Sequence, residues 1–416
     1  MKSAKHAGDA AVAVSKAYGV ETMFTLSGGH VFPLYDGAQH EGVRILDVRH
    51  EQSAVFAAEA SARLTRTPGL AVLTAGPGIT NGVSGVATAH ANGSPVVIMG
   101  GRAPQSRWGS GALQEMDHPP LLAPITKLAF TASGADSVSQ DVEMAFRTAV
   151  APHRGPVFLD FHMDHLFAPS PVHETQTQSP SPLEPDRDDL RAIAKLLAEA
   201  ERPVLVYGSD VWMDRAEEAA RDFAETWRLP VIPNGQGRGI LPTGHELLVT
   251  RARGDAFAQA DLVVVIGTPL DFRLGYGWFG GKDGAPLAKV VHIADAPSHL
   301  TTHMRPVASA AGFSLMDVDT LVRHRLPVVM ICGNNGIWGL EKHPMQLLYG
   351  YDVAAELQPQ CRYDQVVTAL GGGGELVTKP SEIGPALRRA FDSGIPYMVN
   401  IATDPAIAYP RNTTGV

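Results

Sequence analysis

Short apolar runs rich in Val, Ile and Leu recur along this chain, and between them apolar positions fall at the spacing of a helix face. The alternation predicts parallel α/β layers. In the first third, "LAVLTAG" leads through the turn "PGITN" into the helical stretch "GVSGVATAHANG" and then the strand "PVVIMGG". A further helix–strand unit, "DVEMAFRTAVAPHRGPVFLDF", closes this region near Phe167. The following "APSPVHETQTQSPSPLEPDRDD" is rich in Pro, Ser and Thr and reads as a linker.

The middle third restarts the pattern. "DLRAIAKLLAEAERPVLVYGSD", "AEEAARDFAETWRLPVIPNGQGRG" and "DAFAQADLVVVIGTPLDF" each read as helix then strand, and "AKVVHIAD" adds a strand ending in Asp295. That makes a complete Rossmann-like unit. The last third holds a helix over 314–324, a buried strand over 327–332, an Asn-Asn-Gly turn, the Gly-rich "LGGGGELVTKP", and the pair "SEIGPALRRAFDSG" and "IPYMVNIATD". It begins on a helix with no strand before it, as the back half of a domain would. The expected organisation is α/β, with three Rossmann-like, doubly wound parallel-sheet domains. Their expected bounds are 1–167, a linker over 168–186, 187–305, and an incomplete third domain over 306–416.

Composition changes this picture little. Hydrophobic residues make up 44% and charged residues 19%, as in ordinary globular proteins. The net charge of −9 comes with no basic block, which argues against a nucleic-acid surface. The two cysteines, Cys332 and Cys361, lack metal-ligand spacing, and a reducing cytoplasm suits them. The N-terminal "MKSAKHAGDAAVAVSKAYGV" reads as an amphipathic helix without the apolar core of a signal peptide. No apolar run approaches the length needed to span a bilayer.

Several stretches could carry chemistry. In "DVRHEQSAVFAAEASARL", Glu51 sits where a strand passes into a helix. Packed inside, such a carboxyl must be hydrogen-bonded and becomes a proton carrier near neutrality. As a residue of a helical first turn it would only complement the helix dipole. "TLSGGHVFPLYDG" sets His30 after a Gly-Gly turn, which is either a ligand-facing acid or base or an incidental helix start. "TAGPGITN" is a Gly-rich strand-to-helix turn, and "GALQEMDHPP" carries Gln114 in a loop; each alone is weak.

Taken in order, "FTLSGGHVFPLYDG", "DVRHEQSAVFAAEASAR", "TAGPGITNGVSGVATAHANGSPVVIMGG", "LQEMDHPPLLAPITK", "ADLVVVIGTPLDFRLGYG" and "VVMICGNNGIWG" resemble the thiamine-diphosphate enzymes of the acetolactate synthase, 2-hydroxyacyl-CoA lyase and benzaldehyde lyase group. The resemblance covers nearly the whole chain. It implies a pyrimidine-binding domain, a Rossmann-like middle domain and a diphosphate-binding domain. It also implies that Glu51 matches the glutamate exchanging a proton with the aminopyrimidine ring. Gly28, Gly29 and His30 match the loop facing the reacting carbon, and Gln114 the glutamine reaching the same place. Gly76, Pro77, Gly78 and Asn81 then border the cofactor on one side, and Asn335 and Ile337 on the other. Asn334 matches the side-chain magnesium ligand and Gly336 the carbonyl ligand.

One part of the pattern is missing. Relatives carry a Gly-Asp-Gly upstream of the magnesium asparagine; counting back places it at Val307-Ala308-Ser309, with Ala308 where the aspartate belongs. "HIADAPSHLTTHMRPVAS" runs directly into "AAGFS", as though roughly 100 residues were excised. Either the sequence omits a segment of a longer enzyme or the protein lacks it. A magnesium site left with one side-chain ligand would hold its cofactor poorly.

The resemblance further implies a 2-keto acid, a 2-hydroxyacyl-CoA or an aldehyde as substrate, and thiamine diphosphate with Mg2+ as cofactors. FAD or ADP in the middle domain is a further implication, with Arg251, Arg253 and Arg273 as candidate contacts; the alternative there is an empty scaffold. A homodimer or homotetramer is expected. The competing reading of the whole chain is a non-catalytic homologue serving as a nucleotide-binding or assembly partner.

Overall fold

The computed structural model describes residues 3–171, 175, 177, 187–296, 327–338, 342–343, 345–347, 350–359 and 361–407. Most of the expected linker, the helix expected over 314–324 and the Val307-Ala308-Ser309 triplet lie outside them.

Residues 22–162 build a six-stranded sheet from β1 (Thr22–Thr25), β2 (Arg44–Asp47), β3 (Gly69–Leu73), β4 (Val96–Arg102), β5 (Leu128–Thr131) and β6 (Val157–His162). The order is β2-β1-β3-β4-β6-β5, and every neighbouring pair is parallel. Parallel strands need crossovers, and the crossovers cover both faces. On one face, α1 (Ala7–Ala17), α2 (Phe32–Glu41) and α5 (Val138–Val150) pack around Leu34, Val142 and Phe146. On the other, α3 (Glu51–Thr65) and α4 (Pro77–Ala91) bury Ala54, Val55, Ala58 and Ile79. Every residue of β3 and β4 is therefore buried, which explains their unbroken apolar runs.

The chain leaves β1 for β2 on one side and returns to β3 on the other. Loops at the two carboxyl ends diverge between β1 and β3, and the crevice expected at such a switch point is the usual ligand position in parallel sheets. Small residues set the helices beside it. A Cβ on Gly85 would lie 2.7 Å from Val55 Cβ, and one on Gly82 would lie 2.6 Å from Leu73 Cδ1. Glycine thus lets α4 close on α3 and β3.

The middle region repeats the design with β7 (Pro203–Tyr207), β8 (Val231–Pro233), β9 (Leu262–Ile266) and β10 (Lys289–Ile293), in parallel order β8-β7-β9-β10. Helices α6 (Arg187–Glu199) and α7 (Glu217–Trp227) belong to it. It joins the first region at the C-terminus of α3, where helix carbonyls lack internal partners. The Arg63 carbonyl accepts from Trp212 Nε1 (2.8 Å) and Gln236 Nε2 (2.9 Å), and Arg66 pairs with Glu217 at 2.6 Å.

The last region has three parallel strands among the described residues: β11 (Val329–Asn334), β12 (Gly373–Val377) and β13 (Tyr397–Ala402), in order β11-β13-β12. Helices α8 (Tyr363–Ala369) and α9 (Pro380–Asp392) accompany them. Among the described residues β11 is an edge strand, and Ile331 on it is 58% exposed. Such a strand is half finished by the standard of β3. No helix among the described residues is long and apolar enough to cross a membrane.

At the junction of the first two regions, His153 Nδ1 lies 2.8 Å from Asp295 Oδ1, with the Asp210 carboxyl in the same cluster. Burial, and then the neighbouring Asp295, pushes Asp210 up to about 7. A raised carboxyl favours the folded state when protonated. Its contribution is full below about pH 4 and is lost as pH rises through about 7. Thermal melts of Asp210→Asn should therefore exceed wild type near pH 8, and the gain should shrink below about pH 5.

Candidate active site

Residues that follow β1, β2, β3 and β4 come together at the carboxyl ends of β1 and β3. After β1, the chain extends to Gly28, where φ is −161° and no left-handed strain arises. Its reason for being glycine is contact: a Cβ there would sit 2.3 Å from both Cβ and Oγ1 of Thr74, just past β3. Gly29 has more room, its nearest such neighbour being Phe32 Cζ at 4.0 Å.

His30 follows and is 5% exposed. Its Nε2 lies 3.2 Å from the Leu113 carbonyl and its Nδ1 lies 3.2 Å from Thr74 Oγ1. A carbonyl only accepts, so Nε2 carries the proton and, in the neutral ring, Nδ1 accepts from the threonine hydroxyl. Both nitrogens are thus engaged. A proton-transfer role for His30 would require one of these bonds to open.

Glu51 is the first residue of α3 and is 7% exposed. The preceding His50 caps the helix, its ring accepting from Gln52 N–H at 3.3 Å. Both sequence readings of Glu51 meet here, since it lies in the first turn and is also buried. Asn81 on α4 donates its Nδ2 to Glu51 Oε2 at 2.9 Å. The other oxygen, Oε1, lies 3.7 Å from where a Cβ on Gly78 would be. A carboxyl held this way, largely out of water, is suited to exchanging a proton with a bound basic nitrogen.

Gly76, Pro77 and Gly78 form the turn from β3 into α4. Gly76 has φ +58°, ψ −113°, a conformation open to glycine, and Pro77 supplies the fixed φ of a first helical residue. Gln114 faces this turn: a Cβ on Gly76 would be 3.0 Å from Gln114 Cβ. Gln114 itself has φ +57°, rare outside glycine, so its loop holds it in a strained setting. The structure thus brings Gly28, His30, Glu51, Gly76, Gly78, Asn81 and Gln114 together through one chain of contacts.

The sequence reading missed the residues behind that chain. His118, fully buried, accepts the Gly76 N–H on Nε2 at 2.9 Å, while its Nδ1 lies 2.7 Å from Asp160 Oδ2. Arg102, at the end of β4, donates to Asp160 Oδ2 (3.1 Å) and Asp117 Oδ1 (2.9 Å), with its guanidinium 4.0 Å from the centre of the Trp108 ring. His118 stands four residues beyond Gln114 in "QEMDHPP", but nothing in one sequence marks it as buried.

Asn334, Asn335, Gly336 and Ile337 form a second cluster at the end of β11. Asn334 donates Nδ2 to the Cys361 carbonyl (2.9 Å) and accepts Gly336 N–H on Oδ1 (3.2 Å). Asn335 Oδ1 likewise accepts Ile337 N–H at 3.2 Å. Gly336 has φ +68°. Among the described residues this turn shares no hydrogen bond with the Glu51 cluster.

Comparisons with known proteins bear on both clusters. Residues 5–121 match the family description "Thiamine pyrophosphate enzyme, N-terminal TPP binding domain", residues 190–315 its central domain, and residues 309–401 its C-terminal TPP binding domain. A probable acetolactate synthase of Mycobacterium bovis and the acetolactate synthase large subunit IlvG of Mycobacterium tuberculosis are each 39% identical to this chain, over 98% of it and 97% of their own length. Those alignments run 538 positions against a chain of 416, so at least 122 positions (538 less 416) face no residue here. The 2-hydroxyacyl-CoA lyase 2 of Caenorhabditis elegans is 34% identical over 72% of this chain and 52% of its own. Among solved structures, a thiamine diphosphate-dependent 4-hydroxybenzoylformate decarboxylase of Rhodococcus jostii shares the fold, with TM-score 0.80 and 18% identity over 96% of this chain and 99% of that one.

The contact at the crevice generates a test. Gly28→Ala should destabilise the protein by about 1–3 kcal/mol through overpacking against Thr74. Gly29→Ala should stay within about 0.5 kcal/mol. Urea denaturation of the two variants beside wild type measures the difference.

Proposed function

The chain belongs to the thiamine pyrophosphate enzyme family, and on that footing we propose that it is a thiamine-diphosphate-dependent carbon–carbon lyase or carboligase. The observation that carries the reading is a buried glutamate, oriented by Asn81, beside the close-packed turns of Gly28, Gly76 and Gly78.

The residues of the first region fit the aminopyrimidine end of the cofactor. Glu51 is desolvated and carries a single amide on Oε2, beside a turn whose glycines let Thr74 and Gln114 pack close to it. When bound, thiamine diphosphate supplies the electron sink for cleaving or forming a bond beside a carbonyl. Glu51 would hold and return the proton on the aminopyrimidine nitrogen, and Asn81 keeps the carboxyl aimed. His30 and Gln114 would border the substrate, with Gly29 leaving room. The small-residue packing of α4 on α3 keeps water from the carboxyl.

The diphosphate end is half furnished. Asn334 Oδ1 and the Gly336 carbonyl would hold Mg2+, with Asn335 and Ile337 beside them. Magnesium bound to diphosphate ordinarily takes one or two carboxylates as well, and the chain has Ala308 where that acid belongs. We infer that the two clusters meet across subunits in a homodimer or homotetramer, a reading supported by the lack of hydrogen bonds between them among the described residues. A cytoplasmic protein is the compartment we propose.

For the middle region we favour the scaffold reading over FAD or ADP. Arg273 spends its guanidinium on Asp271 (Nε to Oδ2, 2.9 Å), and Arg253 donates to the Arg273 carbonyl at 2.7 Å. The cavity after β7 and β9 is lined by Asp210 together with His153 and Arg273, and both basic groups already face carboxyls of the protein, His153 at Asp295 and Arg273 at Asp271.

The substrate class follows from assays with pyruvate, read as carbon dioxide, and with a 2-hydroxyacyl-CoA, read as aldehyde. Thiamine diphosphate titrated with magnesium tests the reading itself: absence of binding overturns it and favours a non-catalytic homologue. Glu51→Gln, which keeps an acceptor for Asn81, should lower kcat by about 10²–10⁴-fold with little change in Tm.

A further inference from the structure

The Gly76 turn is held by a side chain from outside its own strand and helix. The Gly76 carbonyl serves the helix, accepting from Ile79 and Thr80 N–H at 3.0 and 3.1 Å. Its N–H precedes the helix and has no backbone partner of that kind; His118 Nε2 takes it at 2.9 Å. An amide N–H can only donate, so Nε2 must be bare. The ring proton then sits on Nδ1, where Asp160 Oδ2 accepts it at 2.7 Å. Asp160 is itself fully buried on β6 and fixed by Arg102. The ring also meets Phe158 edge-on, with centroids 6.3 Å apart, so it has little freedom to turn.

The bond has consequences on both sides. Gly76 precedes Gly78, which faces Glu51, and Gly76 backs onto Gln114 in the loop that His118 ends. A loosened turn would move the glycine wall and the glutamine together. We propose that His118 is a positioning residue: its neutral ring, held in one tautomer by Asp160, sets the Gly76–Gly78 turn against Glu51 and Gln114. The inference rests on the crevice being the cofactor site, but the bond itself can be examined without cofactor.

Three proteins decide it. His118→Gln retains an acceptor for the Gly76 N–H; His118→Phe retains bulk and removes both bonds. In the cofactor-free protein, amide exchange of the segment 74–80 should be about tenfold faster in His118→Phe, the loss of one buried hydrogen bond. In His118→Gln it should stay near wild type. With substrate, His118→Phe should lose about 30-fold in kcat while KM changes less than about threefold, and His118→Gln should recover most of that loss. Unchanged exchange in His118→Phe, or equal damage from both substitutions, overturns the proposal.

Should His118→Phe fail to fold, the 15N resonances of the wild-type ring in the neutral range settle the tautomer. A proton on Nδ1 supports the proposal, and one on Nε2 overturns it. Failure of the family chemistry would look different, as an absence of turnover in wild type with the exchange pattern intact.

Discussion

Everything at the candidate site depends on two backbones coming closer than side chains permit. β1 and β3 are neighbours whose chains depart in opposite directions, and the segment after β1 must pass against the residue after β3. Gly28 against Thr74 is that passage, with no room for a Cβ. From this contact follow the placement of His30 on Thr74, of the Gln114 loop on His30, and of the α4 turn under Gln114. Glu51 belongs to the same assembly because glycines in α4 allow that helix to settle on α3.

Much of this was legible in the residues, and for a physical reason. Fully buried parallel strands cannot alternate, so β3, β4, β7 and β9 appear as apolar runs, and their turns as glycine with Pro or Asn. Glu51 was legible as an acid at a strand-to-helix junction. What decides its role, burial with one amide partner, comes from α4, thirty residues away. Periodicity does not report which helix faces which. The same limit hid His118 and Asp160: each lies in an unremarkable local stretch, and their meaning arises only where β6 and the loop after β4 approach Gly76.

His30 shows the converse. Its place after a Gly-Gly turn left open a ligand-facing acid or base and an incidental helix start, and the structure buries it against Thr74 and Leu113. Both nitrogens are engaged by protein groups, so in this state it supports the Gln114 loop. A polar residue beside glycine says that something approaches closely; it does not say whether that is a ligand or the chain itself. The Ala308 expected in the place of an acid rests on counting against the family's pattern, and it lies outside the described residues.

The edge position of β11 has an outcome for how the molecule comes apart. A sheet with six strands and helices on both faces shelters the amides of its central strands. One of three strands among the described residues, with Ile331 more than half in solvent, has few apolar neighbours to lose. Heat, denaturant or protease should find the C-terminal region first and leave the Glu51 half standing, a sequence of breakdown set by how many layers each sheet has to shelter it.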